Sequence, residues 1–413
     1  MVNIAVFEDS LVNQLYPISV ARPAFAISCG GYRLADLLPR LEGRWFQHVR
    51  PHLQQLVAED YRIAPSPGGL EGPWAFINAR LVPHVQITEQ IRNLLQNGSE
   101  CVVWHNNSVA LALLNFSQPR VRSERTFEDF LRKEIENRQI PASDLKLPLF
   151  EYPHEVIKYH TTIMKDNLED RISRGDYKQL NDGLFVGQDV VLGDYLTVNT
   201  GRGPVIIESH TRVGPCCYLE GPVFIGSCAK LIENTALKDN VALGHTTKVG
   251  GEVEASTIEP YTNKQHHGFI GHSYLGSWVN LGAGTCNSDL KNTYGLVTME
   301  YNGQRVPTGM QFMGCIIGDY TKTAVNTGIF TGKVIGVCCM VYGFVTTNVP
   351  SFTNYARLFG QMTEVPVEVA VAGQQRMFLR RNVLQRPCDI QLIHDMYELT
   401  RHERRLGNEP LVL

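Results

Sequence analysis

From Ile207 to Val249 an aliphatic residue falls at every sixth position: Ile207, Val213, Leu219, Ile225, Leu231, Leu237, Leu243 and Val249. Four places after each of the first seven sits a small or slim residue: Thr211, Cys217, Val223, Ala229, Thr235, Val241 and Thr247. A six-residue step fits neither the 3.6 period of a helix nor the alternation of a strand. It predicts a solenoid in which each unit is one short strand and one turn, with the aliphatic pointing inward onto its counterpart a coil away. Val186, Leu192 and Val198 carry the phase backwards, and the nine-residue gap from Val198 to Ile207 predicts a bulge of three extra residues within 201–204. The register resumes at Leu275 and Leu281, and again at Ile317, Thr323, Ile329, Ile335, Val341 and Thr347. The expected coil therefore runs over about 184–347 with two excursions, residues 252–271 and 287–314. A β-sandwich is the alternative, but its strands alternate and recur every 8–12 residues or so, which this stretch does not do.

The flanks carry other periods. Residues 1–150 read as α/β, with short apolar strands at 4–7 and 101–104 and helical periodicity at 34–41 and 89–96. Thr126 followed by Asp129 predicts a capped helix start over 127–137, and the Pro/Gly-rich residues 64–69 predict a loop. Residues 151–182 are a connector, helical over 153–175. After residue 350 the six-residue period stops, and helices are expected over 365–382 and 390–405, the second with an apolar stripe that includes Ile390, Ile393 and Tyr397. The predicted domains are thus 1–150, a connector 151–182, a coil 183–350 and a C-terminal helical segment 351–413. A solenoid is a scaffold and says nothing by itself about chemistry.

Charge and composition narrow the classes. A formal charge of −3 over 413 residues gives no basic field, so nucleic acid is not an expected partner. No apolar run approaches 18 residues and the first residues lack a basic flank, so a cytoplasmic protein without a membrane span is expected. The ten cysteines show no CxxC spacing, and the pairs Cys216-Cys217 and Cys338-Cys339 place their second member at the small inward slot. Reduced thiols acting as compact fillers follow, and no metal site is predicted.

The segment Leu15, Pro17, Ile18, Ser19, Arg22 and Pro23 resembles the start of sugar-nucleotidyltransferase domains, where a strand leads into a glycine-rich loop and then L-x-P-L-T and P-K. The loop here reads Phe7-Glu8-Asp9-Ser10 without glycine, and Pro23 is followed by Ala24. Two carboxylates where a phosphate should lie require an intervening Mg²⁺ if that domain is to turn over a nucleotide. The resemblance implies a shortened nucleotidyltransferase-like domain, active as a sugar-1-phosphate pyrophosphorylase or reduced to a structural or sugar-binding role.

Residues 263–285 are the most informative stretch. With Lys264, His266, Phe269, Gly271, Leu275, Asn280 and the run Gly282-Ala283-Gly284-Thr285, they resemble the acetyltransferase half of the bifunctional glucosamine-1-phosphate acetyltransferase/N-acetylglucosamine-1-phosphate uridyltransferase family. That resemblance implies a left-handed parallel β-helix of hexapeptide repeats, a homotrimer with sites between subunits, acetyl-CoA as acyl donor, and an amino sugar phosphate or nucleotide sugar as acceptor. Carried over by position, His266 is the general base, an imidazole being suited to take a proton from an amine or hydroxyl near neutral pH. Asn280 and Asn287 orient the sugar, Lys264 and Lys291 hold its phosphate, and Gly282, Ala283 and Gly284 form the wall along the coenzyme. Phe269 takes the place of a family tyrosine at the substrate, and Ser256 falls where a family lysine is expected. His245, His267 and His272 also allow a comparison with hexapeptide-fold carbonic anhydrases, in which three histidines hold a metal across a trimer interface. A third reading is non-enzymatic, a coil that keeps the sugar cleft for assembly or sensing.

Overall fold

The computed structural model describes residues 2–121, 124, 126–357 and 360–406, with no side-chain account at 405 and 406. The chain divides into two compact units, residues 1–15, 19–28 and 32–152 in the first, and 16–18, 29–31 and 153–413 in the second.

The first unit is a six-stranded sheet in the order Ala64–Pro65, Gly43–His48, Val2–Phe7, Gly69–Asn78, Ser108–Val121, Cys101–His105. The first four strands run parallel and the last two pair antiparallel. Val2–Phe7 is central, which is why Ile4, Ala5, Val6 and Phe7 are all fully buried. Helix Phe127–Asn137 begins where the sequence predicts, with Thr126 Oγ1 accepting the Asp129 N–H at 3.1 Å. Its Phe127, Phe130 and Leu131 pack on Phe76 and Phe116 of the sheet. Residues 64–69 are not all loop, since Ala64–Pro65 adds an edge strand, where proline's missing N–H faces outward at no loss.

The second unit holds a left-handed parallel β-helix of three faces. Strands Leu184–Val186, Val205–Ile207, Val223–Ile225, Val241–Leu243, Thr257–Ile258, Tyr274–Leu275, Cys315–Ile317 and Lys333–Ile335 stack in parallel as the first face. The second face runs Val191–Leu192, Arg212–Val213, Lys230–Leu231, Lys248–Val249 and Asn263–Lys264. The third runs Thr197–Asn199, Tyr218–Glu220, Ala236–Lys238, Glu252–Glu254 and Phe269–Gly271. All eight aliphatics of the ladder are at most 3% exposed, each worth about 1.5–3 kcal/mol in removed apolar surface. The slim residues four places on are buried with them, at most 2% exposed. Successive turns place a residue in the left-handed region, among them Thr246, Tyr261 and Trp278, which lets a strand bend sharply into the next.

Leu184 pairs with Val205, twenty-one residues on, whereas Val205 pairs with Val223, eighteen on, so three extra residues sit at the turn before Val205. Residues 252–271 do not leave the coil, contrary to expectation. They form strands Glu252–Glu254, Thr257–Ile258, Asn263–Lys264 and Phe269–Gly271. The six-step period fails there because turns are shortened: the buried file goes from Val249 to Val253 and then to Ile258. Residues 290–312 do leave it, between the Leu290–Phe312 bridge, as a hairpin of Thr298–Tyr301 with Gln304–Pro307. Thr347 is exposed, and after another shortened turn the file passes through Val345 and Val349 to Tyr355, which pairs in register with Val341.

Helix His154–Arg174 packs Met164 and Leu168 on Ile206 and Ala242 of the first face. The C-terminal helices are Val367–Leu379, Pro387–Leu399 and Arg401–Leu406. They cover the corner between the first and second faces, where Phe378 lies 4.5 Å from Trp278 and Phe352 meets Tyr397. All ten cysteines are unpaired, with Cys217 and Cys339 buried inside the coil. Among the described residues no helix is long and apolar enough to cross a membrane.

Candidate functional site

Lys264 does not reach a surface phosphate. It occupies an inward position of the second face, paired in register with Val249, and is 2% exposed. Its Nζ donates to the carbonyl oxygens of Gly250 at 2.5 Å, His266 at 2.8 Å and Gly268 at 2.9 Å. Three donors of the ammonium thus meet three acceptors, and burial pushes its pKa down to about 8. By holding the carbonyls on both sides of His267, Lys264 fixes the turn that carries His266, whose own side chain is exposed.

Asn287 is also inside the coil, 4% exposed. Its Oδ1 accepts the Gly271 N–H at 2.8 Å and its Nδ2 donates to the Gly271 carbonyl at 3.0 Å. The third-face sheet is interrupted between Phe269–Gly271 and Cys286–Asn287, and the carboxamide replaces the missing backbone pair. At 4% exposure, Asn287 is committed to Gly271 and does not present its carboxamide at the surface.

The remaining residues fall into two groups at the two ends of strand Phe269–Gly271. At the corner before it, His266 lies on the coil next to Gly282-Ala283-Gly284, and the Gly284 N–H donates to the His267 carbonyl at 3.0 Å. The glycines are dictated by the following coil. A Cβ on Gly282 meets the Ala324 backbone at 2.5 Å, and one on Gly284, with φ +75°, meets Asn326 Oδ1 at 2.2 Å. Ala283 stands between them, with Val325, 65% exposed, one coil on, so this corner offers a smooth apolar edge. Asn280 is exposed on the adjoining second face, accepting at Oδ1 from Asn263 Nδ2 at 3.3 Å.

At the corner after the strand, His272 Nδ1 lies 2.8 Å from Asp289 Oδ2, and the imidazole stacks on Phe312 at 5.2 Å. The Phe269 ring belongs to this group, since a Cβ on Gly271 meets both the Phe269 ring at 2.5 Å and Asp289 Oδ2 at 2.4 Å. Lys291 lies on the excursion with Nζ donating to the Leu296 carbonyl at 3.1 Å. A carboxylate on one ring nitrogen fixes the imidazole and leaves the other nitrogen to exchange a proton, the arrangement of a general base with its orienting group. The sequence reading passed over Asp289. Its signal was the lag, because Asp289 follows His272 by seventeen residues, the same lag that separates Asn263 from Asn280. His245, His267 and His272 sit at three different corners of one chain, and no group of three metal-binding side chains gathers among the described residues. Arg404 is buried, paired with Glu364 at 2.6 Å and stacked on Tyr397 at 4.3 Å.

In the first unit, the ends of three parallel strands converge where an open α/β sheet binds ligands. Glu8 and Asp9 follow Val2–Phe7, Arg50 follows Gly43–His48, and Arg80 follows Gly69–Asn78. Glu8 pairs with Arg50 at 2.9 Å, and Asp9 takes Arg80 through both oxygens, at 2.7 and 2.6 Å. Arg80 is fully buried and also reaches the Phe150 carbonyl at 2.5 Å. Each carboxylate is already neutralised by a guanidinium, so the pair does not fit Mg²⁺.

Residues 4–174 match the family described as sugar nucleotidyl transferase. A bifunctional sugar-1-phosphate nucleotidylyltransferase/acetyltransferase from Sulfurisphaera tokodaii is 31% identical over 149 residues, which cover 36% of this chain and 37% of that protein. The bifunctional protein GlmU of Methanococcus vannielii is 30% identical over 124 residues, 29% of each chain. The matched segments span about a third of those curated relatives. A UDP-N-acetylglucosamine acyltransferase from Francisella novicida superimposes with 13% identity and a TM-score of 0.30, covering 56% of this chain and 79% of that one.

Proposed function

We propose that this chain is an acyltransferase that uses acetyl-CoA and acts on an amino sugar phosphate or a nucleotide sugar. The observation that carries the reading is the corner where exposed His266 lies on the coil next to the smooth edge of Ala283 and Val325. Acetyl-CoA supplies the activated acyl group as a thioester. His266 takes the proton from the acceptor amine or hydroxyl, Asn280 orients the acceptor, and the glycine-flanked Ala283 leaves room for the donor. Phe269, His272 and Asp289 stand at the other end of the same strand, so a homotrimer that sets one chain's His266 corner against another's His272 corner supports a site shared between copies. Lys291 on the excursion is the cation nearest that second corner in sequence. The test is thiol release from acetyl-CoA with a panel of amino sugar phosphates and nucleotide sugars. An unchanged rate in His266→Ala rejects the assigned base.

A second reading, sugar-1-phosphate nucleotidyl transfer by the first unit, is favoured by the family match over residues 4–174. Its test is pyrophosphate release from a nucleoside triphosphate and a sugar 1-phosphate, with and without Mg²⁺. No release with any pair discards it.

A further inference from the structure

The second face of the coil carries a file of cations that the acyl-transfer site does not use. Arg212 pairs in register with Lys230, and Lys230 with Lys248, so the three occupy the same outward position on successive coils. Neighbouring strands of a sheet lie about 4.8 Å apart, and like charges placed directly opposite one another are destabilising. Elsewhere on the coil, surface cations have acidic partners: Lys238 with Glu252 at 2.6 Å, and Arg202 with Asp239 at 3.0 Å. None of Arg212, Lys230 and Lys248 has a carboxylate or hydrogen-bond acceptor among the described residues.

A second element adds to the same charge. Helix Val367–Leu379 ends beside this file, where Arg381 donates to Asn263 Oδ1 at 2.5 Å, and Asn263 is the next residue of the file after Lys248. Arg380 lies beside it, exposed and likewise without an acceptor among the described residues. The Lys248 ammonium is pushed below its usual range, first by burial and then by Arg381, Lys230 and Arg380, which places these four cations in one electrostatic neighbourhood. The C-terminus of a helix favours a cation, and that accounts for Arg380 and Arg381. It does not account for two lysines and an arginine stacked on a sheet with no counter-charge.

We infer that Arg212, Lys230, Lys248, Arg380 and Arg381 form a binding site for a diphosphate group, as carried by a nucleotide or a nucleotide-derived coenzyme. Two linked phosphoryl groups suit a file in which cations repeat rung by rung, and the guanidinium fork of Arg381 closes the end nearer Asn263. A single carboxylate neutralises one rung and leaves its neighbours unpaired. The site lies on the second face, where Asn263 also donates to Asn280 at 3.3 Å, and it rests on the acyltransferase reading only where coenzyme A proves to be the source of the diphosphate.

The experiment is calorimetric titration of the full chain, at fixed low salt, with inorganic pyrophosphate, ADP and coenzyme A in separate arms. Pyrophosphate is expected to bind at one site per chain. A Lys230→Ala/Lys248→Ala double variant and, separately, Arg380→Glu are expected to weaken it at least tenfold while thermal unfolding stays that of the parent. Tighter binding of ADP or of coenzyme A than of pyrophosphate identifies the source of the diphosphate. Failure of the parent chain to bind any of the three overturns the site, as does equal affinity in parent and both variants.

Discussion

Lys264 follows Val249 in the file of side chains that fills the coil, an ammonium taking the place of an aliphatic. It is tolerated because the turn over residues 265–268 folds its carbonyls back onto the Nζ.

Lys264→Met keeps the stem but leaves those carbonyls short of a donor, so unfolding free energy should fall by about 1–3 kcal/mol. The effect should depend on pH. The folded amine loses its proton near 8 and the unfolded one near 10.5. Between these values the unfolded chain binds more protons, so stability rises with pH. Wild type should therefore gain on Lys264→Met by about 3 kcal/mol from pH 8 to 10.5, with no change below 8. Denaturant titrations of both proteins across that range check it; a constant difference counts against the burial.

Asn287→Ala removes both bonds to Gly271 and should lower stability by about 1–3 kcal/mol. Asn287→Asp should be no milder, since it loses the donor to the Gly271 carbonyl. A role confined to sugar binding predicts instead a raised KM at unchanged melting temperature, so the two are separated by calorimetry beside kinetics.

His266 is exposed, so His266→Ala should leave the melting temperature alone while acetyl transfer drops by about 10²–10⁴-fold. His272→Ala serves as the comparison. If it abolishes transfer and His266→Ala does not, the base is the imidazole oriented by Asp289.

Arg80→Met strips Asp9 of its counter-charge inside the first unit and should destabilise that unit by about 3–5 kcal/mol. The double change Asp9→Leu with Arg80→Met should recover part of the loss, measurable as a double-mutant cycle.

The coil was legible in the chain because inward positions from Ile207 to Val249 repeat one kind of chemistry at one interval. It became illegible at Val253, where turns shorten, and at Lys264 and Asn287, where the inward residue is polar and reads as surface. Positional transfer from a family motif then assigned both to ligands. The pairings that matter most obey a different interval, that of a whole coil: His272 with Asp289 at seventeen, and Arg212, Lys230 and Lys248 at eighteen. Comparing the sequence with itself at that lag brings out both. The opposed charges at Glu8, Asp9, Arg50 and Arg80 had no such signal, because three separate strands deliver them to one place.

That last arrangement sets the difficulty of engineering nucleotide chemistry back into the first unit. Grafting a flexible glycine turn after Phe7 would strand two arginines without their carboxylates, so a workable redesign has to alter both strand ends opposite the graft in the same step.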